Sequence, residues 1–457
     1  MRYGFGSVAR FLRVPEGVRL RRECFGGIAF DTRTGTTADL DREAFALLEH
    51  LRGGVPCRED RLPTRGAEQR RVIDRLLQAG LLATSAPAED VVAATPARCT
   101  EAHEGKTEEW PAGPHLSAPH TVHWAITYAC GLDCPDCYAR RHRDRFPGEF
   151  PTADALRLVE TLAAWGVFQL AIGGGEPLRR ADLPAICRHA RACGLVVHVT
   201  TGQTRVERGL LAALGAGVSV LQIGVHIDRI LNAASGEAAR LRCLAEQARD
   251  AGLLPGANVM LSRTGLAHFT RILGVLTEAR LHRITLLRYK PPPTRARWRR
   301  ECPTAGAMRQ FERDLPDVLA RYPEVVLRVD CALSFLQRHV GQADAQAAGV
   351  RGCVAGERIL AVAPDGSLFP CSQLVYPHLR AGNLLTDDAP FVWANSPVLK
   401  RYRSFRAAAP FQQSACGACA AREHCGGCRV FAPDLLGADP GCPEPPLLPV
   451  TEGGPLP

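Results

Sequence analysis

The central part of the chain, residues 121–330, alternates short apolar segments with longer amphipathic ones. The amphipathic segments have helical spacing, as in Thr152–Trp165 and Glu237–Ala251. Alternation of this kind predicts an α/β fold with a parallel sheet, here of six units that curl into an incomplete (β/α)6 barrel. The six apolar segments predicted to form its strands are Val122–Thr127, Phe168–Ile172, Leu195–Val199, Val218–Val225, Ala257–Leu261 and Arg283–Leu287.

A run of cysteines follows the first predicted strand. Cys130, Cys134 and Cys137 stand in a C-x3-C-x2-C pattern. Three thiolates this close in sequence can hold one face of a four-iron, four-sulfur cluster, which leaves its fourth iron without a protein ligand. Functional residues of such barrels collect at the carboxyl ends of the strands, where this run lies. The alternative is a structural zinc site, for which His142 is the nearest candidate for a fourth ligand.

A glycine-rich turn follows the second predicted strand and reads GGGEP from Gly173 to Pro177. Consecutive glycines let a ligand approach the main chain, and a carboxylate just beyond them can receive an ammonium group. Together with the cysteine run and the aromatic Tyr138 after it, this turn resembles the motifs of the radical S-adenosylmethionine (SAM) enzymes. The resemblance implies that Cys130, Cys134 and Cys137 hold the SAM-binding cluster.

The resemblance also implies which residues contact SAM. The GGEP turn of that family holds the amino group of the SAM methionine, the aromatic residue lies near the adenine, and the third strand ends in polar contacts. The residues implied here are Tyr138, Gly174, Gly175, Glu176, Thr200 and Thr201. The fourth strand departs from the family pattern, since Gly224 and His226 stand where serine and aspartate are usual. Further side chains that could face the cavity are Asn258, Arg288, Tyr289 and Lys290.

The last third of the chain carries a second set of cysteines. Cys353 and Cys371 flank a sequence that predicts a hairpin turning at Asp365-Gly366. A C-x2-C-x5-C-x2-C group and one later cysteine follow, and the whole resembles the SPASM extension of radical SAM enzymes, which holds auxiliary clusters. The seven cysteines are Cys353, Cys371, Cys416, Cys419, Cys425, Cys428 and Cys442. A pair of zinc ribbons is the alternative.

The SPASM resemblance implies two auxiliary four-iron, four-sulfur clusters, and so three clusters in all. The inner cluster lacks an obvious fourth thiolate. Cys331 is the nearest upstream candidate, at an unusual distance from Cys353, and Cys302 is a weaker one. The implied ligands of the outer cluster are Cys416, Cys419, Cys425 and Cys442, and those of the inner cluster are Cys353, Cys371 and Cys428.

The N-terminal segment, residues 1–85, predicts a small module of winged-helix type. Three strand-like runs up to Phe30 precede two helical patterns, one from Leu40 to Leu51 and one around Val72–Leu77. The segment resembles the RiPP recognition element, or PqqD-like domain, on the Phe25-Gly26-Gly27 run and the Leu40-x3-Ala44-x2-Leu47-Leu48 pattern. That resemblance implies binding of a precursor's leader peptide. A DNA-binding winged helix is the alternative, although the second helix offers no clean basic face.

Composition and charge bound the remaining expectations. The net charge of +9 is spread over the chain, which predicts no nucleic-acid partner, and no run is apolar enough for a membrane span or signal peptide. We therefore expect a cytoplasmic protein, whose 18 cysteines favour metal sites over disulfides. The basic run 295–300 is interpreted as a solvated loop, with a role in holding an acidic peptide or a nucleotide as the alternative. Residues 86–120 are predicted to form a linker, and 447–457 a disordered tail.

These resemblances imply an enzyme in three parts: the recognition element (1–85), the radical SAM barrel (121–330) and the SPASM region (331–446). It would cleave SAM reductively and modify a ribosomally made precursor peptide, with electrons from a donor such as flavodoxin or ferredoxin. Thioether formation, carbon–carbon crosslinking, epimerisation and decarboxylation all stay open. The alternatives are the same chemistry on a folded protein or tetrapyrrole, and a zinc-dependent winged-helix regulator.

Overall fold

Two units divide the chain in the computed structural model, residues Met1–Ser117 and Ala118–Pro457. The structure describes residues 10–52, 56–59, 62, 67–85, 110–111, 113–291, 295–338 and 350–443. Most of the predicted linker and the whole predicted tail, 447–457, lie outside these ranges. Within them, no helix is both long and apolar enough to cross a bilayer.

The described residues of the first unit form two small antiparallel sheets and two helices. One sheet has the order β2-β3-β4 and the other the order β5-β1-β6. The elements are β1 (Phe11–Arg13), β2 (Val18–Glu23), β3 (Gly26–Asp31), β4 (Thr36–Asp41), α1 (Arg42–His50), β5 (Cys57–Arg58), α2 (Ala67–Gln78) and β6 (Ala83–Ser85).

The strand β4 was not predicted. Helical spacing assigned Leu40 to the first helix, but β4 pairs with β3 along its whole length and α1 begins only at Arg42. The carboxylate of Asp41 caps that helix by accepting a hydrogen bond from the N–H of Ala44. Leu40 and Ala44 nevertheless belong to one buried cluster. An apolar residue at the end of a strand therefore matched the helical period because it faces the same core as the helix.

The end of the predicted linker packs against the first unit, which corrects the expectation that 86–120 is all linker. The Trp110 ring meets the Phe45 ring edge to face at 5.8 Å. The backbone N–H of Ser117 donates to the fully buried carboxylate of Glu23 at 2.7 Å. Both contacts fix residues that composition alone assigned to a spacer, so the boundary between the units lies at Ser117 and not near residue 85.

The second unit begins with the predicted strand and helix alternation. All six predicted strands are present, and the helices at Thr152–Trp165 and Glu237–Asp250 match the two predicted as examples. The elements are β7 (Thr121–Thr127), α3 (Thr152–Trp165), β8 (Gln169–Gly174), α4 (Leu183–Ala192), β9 (Val196–Thr201), α5 (Arg208–Gly215), β10 (Val220–Gly224), α6 (Ile227–Leu231), α7 (Glu237–Asp250), β11 (Leu254–Leu261), α8 (Arg263–Ala267), α9 (Phe269–Glu278), β12 (Arg283–Arg288), α10 (Arg295–Glu301), α11 (Ala305–Ala320) and β13 (Val326–Val329).

The cysteine-rich region joins the same sheet. Its first strand, β14, pairs in parallel with β7, and β13 pairs in parallel with β12 at the other end of the six predicted strands. The resulting sheet has the order β13-β12-β11-β10-β9-β8-β7-β14-β15-β16. The predicted hairpin is present between β14 and β15, where Gly366 turns the chain with a φ of +83°. The elements are β14 (Ile359–Val362), β15 (Ser367–Phe369), β16 (Gly382–Asn383), α12 (Ala389–Asn395), α13 (Pro397–Ser404) and α14 (Ala409–Gln412).

The two faces of this sheet differ in chemistry. Val122, Trp124 and Ile126 of β7 are buried in the main apolar core. Because side chains alternate along a strand, His123 faces the other side. Burial and the positive charge of Lys290 lower its pKa to about 4, and burial does the same for His198 on β9. The face opposite the core therefore carries neutral imidazoles.

Candidate active site and cysteine clusters

The loop after β7 carries the first three cysteines, and arginine side chains that bond its carbonyl groups hold its shape. Cys130, Cys134 and Cys137 are all half-buried. The guanidinium of Arg140 donates to the carbonyl of Cys134 at 3.1 Å, and that of Arg143 donates to the carbonyl of Leu132 at 3.3 Å. These arginines fix a loop that has little regular structure of its own.

The three thiols lie within electrostatic reach of one another. Burial raises the pKa of Cys134, as do the neighbouring Cys137 and Cys130 thiols, to about 11. Thiols lose their protons when they bind iron. Three thiols this close together therefore fit the binding of a single iron–sulfur cluster. The His142 ring packs against the Tyr128 ring at 5.3 Å, and burial lowers its pKa to about 4. The imidazole is therefore part of an aromatic contact, which weakens the zinc alternative.

The glycine-rich turn packs directly on the cysteine loop. A Cβ on Gly174 would lie 2.3 Å from the carbonyl oxygen of Thr127, and one on Gly175 would lie 2.4 Å from that of Ala129. The N–H of Gly175 donates to Thr127 at 2.7 Å, and that of Glu176 donates to Ala129 at 3.0 Å. Glycine at these two positions therefore allows the backbones of two loops to come into contact. The sequence had suggested a different role for the glycines, namely close approach of a ligand to the main chain.

Glu176 organises the end of the third strand. Its carboxylate accepts hydrogen bonds from the hydroxyl of Thr201 at 2.9 Å and from the N–H of Gly202 at 3.0 Å, and it is 1% exposed. Burial raises the pKa of Glu176 and these hydrogen bonds oppose that rise. Thr200 points the other way and is exposed. The structure thus brings Glu176 and Thr201 into one buried pair and leaves Thr200 accessible.

Cys331 lies near the three thiols that are predicted to hold the inner cluster. Cys353, Cys371 and Cys428 are buried together in one cluster with Ala332. Burial raises the pKa of Cys331, as do Asp330 and the thiols of Cys428, Cys353 and Cys371. Cys331 therefore lies within reach of all three predicted inner ligands, although it was only a candidate from its place in the sequence.

The outer set is held by turns with little regular structure. Cys416 accepts a hydrogen bond from the N–H of Asp439 at 3.3 Å, and Cys425 accepts one from the Ser334 hydroxyl at 3.5 Å. Burial raises the pKa of Cys425, and the neighbouring Cys419 thiol raises it further. Cys442 is partly buried against the core cluster that contains Cys425.

One orphaned side chain lies beside the outer set. The imidazole of His424 is 4% exposed, and neither of its nitrogens has a hydrogen-bond partner among the described residues. Buried polar groups ordinarily have partners, so the ring next to Cys425 fits a site that holds a further group. The described residues gather no three His, Cys, Asp or Glu side chains around a single metal ion. A four-iron, four-sulfur cluster binds each thiolate through a different iron, so its ligands do not have to surround a single metal position.

A buried ion pair joins the sheet to the cysteine-rich region. Arg288, at the end of β12, donates two hydrogen bonds to the carboxylate of Asp439, at 2.6 and 2.7 Å. Asp439 also accepts from the N–H of Cys428 at 2.8 Å. Burial would raise the pKa of Asp439, but the Arg288 guanidinium and these N–H donors hold it below its usual range. Asp439 was not predicted, because a partner 151 positions away in the chain leaves no local signal.

Replacing Asp439 with asparagine is expected to destabilise the protein by about 3–5 kcal/mol, because it leaves Arg288 buried without a counter-charge. In the wild-type protein the Asp439 carboxylate contributes fully to the free energy of unfolding above pH 3.8, the pKa of aspartate in the unfolded chain. This contribution is lost as the pH falls through the lower pKa of Asp439 in the folded protein. Thermal unfolding of the two proteins measures the difference. Asp250→Asn, at an exposed position on α7, is the control and should change stability by less than about 0.5 kcal/mol. Equal losses in both variants would contradict the prediction.

The basic run 295–300 was predicted to be a solvated loop, and this is wrong. Residues Arg295–Glu301 form the helix α10. The Arg297 guanidinium donates to both oxygens of Asp136, which lies between Cys134 and Cys137. A basic run near a prolyl segment resembles a loop in sequence, whereas the carboxylate that orders it comes from the cysteine loop.

Comparisons with known proteins agree with the two cysteine regions. The radical SAM superfamily matches residues 124–231, and the iron-sulfur cluster-binding domain called SPASM matches residues 353–426. The mycofactocin maturase MftC of Mycobacterium ulcerans is 28% identical over 340 residues, which cover 72% of this chain and 88% of that protein. The PqqA peptide cyclase of Rhodopseudomonas palustris is 27% identical over 353 residues, which cover 72% of this chain and 88% of that protein.

A solved structure shares the fold over nearly the whole chain. Streptococcus suis SuiB bound to S-adenosylmethionine superposes with a TM-score of 0.65 at 16% identity, over 94% of this chain and 99% of that one. SuiB has also been solved bound to its precursor peptide SuiA. The radical SAM domain implies SAM and a four-iron, four-sulfur cluster, and the SPASM domain implies auxiliary iron–sulfur clusters. These matches confirm the prediction of a radical SAM/SPASM enzyme with an α/β fold.

Proposed function

We propose that this enzyme modifies a ribosomally made precursor peptide by radical chemistry. The observation that carries the proposal is the direct packing of the GGEP turn on the three-cysteine loop at the carboxyl ends of β7 and β8. The similar proteins named above support a peptide substrate, since MftC is a maturase, PqqA cyclase acts on a peptide, and SuiB was solved with its precursor.

The residues of the first site have distinct roles in this proposal. Cys130, Cys134 and Cys137 would hold the SAM-binding cluster. With SAM bound, that cluster would supply a 5′-deoxyadenosyl radical by one-electron reductive cleavage of SAM. Glu176 keeps Thr201 and the backbone of Gly202 in place at the third strand end. Thr200 stays exposed as a polar contact for SAM, and Tyr138, Gly174 and Gly175 line the neighbouring loops.

The auxiliary sites would complete a set of three four-iron, four-sulfur clusters. The inner cluster would have four thiolate ligands, from Cys331, Cys353, Cys371 and Cys428. Cys331 would ligate the fourth iron, which the other three cysteines leave without a protein ligand. Cys416, Cys419, Cys425 and Cys442 provide four for the outer cluster. A small electron-transfer protein such as flavodoxin or ferredoxin would supply the electron for SAM cleavage.

The first unit would bind the leader of the precursor, as a RiPP recognition element does. In the sheet β2-β3-β4 the outer strands are β2 and β4 among the described elements. An edge strand offers backbone donors and acceptors that an extended peptide can satisfy by adding a strand. A leader held there raises the local concentration of the segment to be modified.

The test is anaerobic incubation of the full chain with SAM, a reductant and peptides translated from short reading frames beside its gene. The expected result is 5′-deoxyadenosine together with a mass change in one of those peptides, measured by mass spectrometry. SAM cleavage with modification of a folded protein or tetrapyrrole, and of no peptide, would overturn the peptide assignment. Zinc without acid-labile sulfide in the purified protein would favour the regulatory alternative.

A further inference from the structure

The basic helix α10, Arg295–Glu301, lies at the edge of the sheet that carries the three-cysteine loop. The guanidinium of Arg297 donates to the carboxylate of Asp136, between Cys134 and Cys137, at 2.6 Å. It also donates to Asp228, at the start of α6, at 3.4 Å. Asp136 follows β7 and Asp228 follows β10. These contacts place α10 beside the carboxyl ends of two strands of the parallel sheet.

Further contacts fix the same side of α10. Its last residue, Glu301, accepts a hydrogen bond from the hydroxyl of Thr264, on the helix after β11, at 2.8 Å. The Trp298 ring stacks on the Tyr289 ring at the end of β12, with 5.4 Å between centroids. On the SPASM side Trp298 stacks on Phe431, at 6.4 Å. The helix is therefore held in one place relative to the cysteine loop.

The other side of α10 is cationic and open. Arg299 and Arg300, here called the arginine pair, are both exposed. Arg300 lies 3.4 Å from the carboxylate of Glu301, but its side chain remains 65% exposed and Glu301 is also bonded to Thr264. Arg299 forms no ion pair with any residue that the structure describes. The arginine pair therefore keeps most of its positive charge, whereas Asp136 balances that of Arg297.

The position of the arginine pair indicates which ligand its charge fits. Solvent screens exposed charges, and the α10 side chain that bonds the cysteine loop is Arg297, so the pair contributes little to charge balance at the first cluster. SAM carries a sulfonium and an ammonium against one carboxylate, so the pair does not attract it. An anion that arrives from solution fits better, because a guanidinium group binds a carboxylate through two parallel hydrogen bonds.

We propose that the arginine pair binds side-chain carboxylates in an acidic segment of the precursor peptide, close to the segment that is modified. The peptide must reach the cysteine loop, beside which α10 is held. The net charge of +9 is spread over the chain, which favours an acidic peptide over a nucleic acid. The inference rests on the proposed function, because it names the chemistry of one part of that peptide.

The first arm of the test measures binding of a fluorescein-labelled oligoglutamate peptide to the full chain by fluorescence anisotropy. The double variant Arg299→Gln/Arg300→Gln is expected to lower the affinity by roughly 5- to 10-fold at low salt. The matched control is Arg242→Gln/Arg313→Gln, which removes two exposed arginines from α7 and α11 and should change the affinity less than twofold. Equal losses in both variants would identify the arginine pair as an ordinary solvated surface and overturn the proposal.

Two further probes make this arm specific. Arg299→Lys/Arg300→Lys keeps both charges and is expected to retain most of the affinity, which separates loss of charge from a disturbed helix. An oligoglutamine peptide of the same length should bind weakly to every variant. An RNA oligomer that binds more tightly than oligoglutamate, and whose binding depends on the arginine pair, would refute the assignment to a peptide.

The second arm uses the peptide that mass spectrometry identifies as the substrate. Changing its acidic residues to the corresponding amides should raise KM with the wild-type enzyme and leave kcat unchanged. The same peptide change should have little further effect with Arg299→Gln/Arg300→Gln, because the two changes remove one interaction. Additive effects would refute this inference alone. Absence of any modified peptide refutes the proposed function, and the oligoglutamate arm then still reports whether α10 binds carboxylates.

Discussion

Replacing Cys134 with alanine is expected to abolish formation of 5′-deoxyadenosine from SAM and to lower the iron content by about four atoms per chain. The site would lose one of its three thiolates, and the loop offers no fourth in the structure, since His142 packs on Tyr128. Product analysis by chromatography and determination of iron and sulfide check both parts.

The matched control for this variant is Cys243→Ala. Cys243 is exposed on α7, and its sulfur accepts a hydrogen bond from Gln247 four residues on. The control should keep the wild-type iron content and SAM cleavage. Full SAM cleavage by Cys134→Ala would contradict the assignment of this loop to the SAM-binding cluster.

Removal of residues 1–117 is expected to leave SAM cleavage intact and to slow peptide modification by roughly 10²-fold or more at low peptide concentration. The cysteine loop and the GGEP turn both belong to the second unit, so their contacts remain. The first unit would no longer raise the local concentration of the precursor. Mass spectrometry of the peptide over time measures the rate.

The place of the cut matters for this experiment. A shorter deletion, of residues 1–85, would leave Trp110 and Ser117 without their partners Phe45 and Glu23. Loss of SAM cleavage after such a deletion would then report misfolding. With the cut at Ser117, a high peptide concentration should restore modification, because only binding has been weakened. An equal rate with and without the first unit at low peptide concentration would contradict the recognition role.

The parallel sheet was predictable because local signals specify it. Each of its first six strands is a short apolar run, and Thr152–Trp165 has a helical period that the structure reproduces residue for residue. The added strand β13 was missed since two of its four residues are exposed, so no buried run marked it. The strand β4 was missed because its Leu40 is buried in the same core as α1 and so fitted the helical spacing of that helix.

The sequence by itself determined which residues can carry the chemistry, namely the cysteine spacings and the GGEP turn, because ligands of one cluster that are close in the chain leave a pattern. Only the tertiary structure decided how these groups meet. It brought Cys331 to the inner set and paired Arg297 with Asp136 and Arg288 with Asp439. Such pairings depend on where parallel strands end along one sheet edge, and residues far apart in the chain can meet there without any periodic signal.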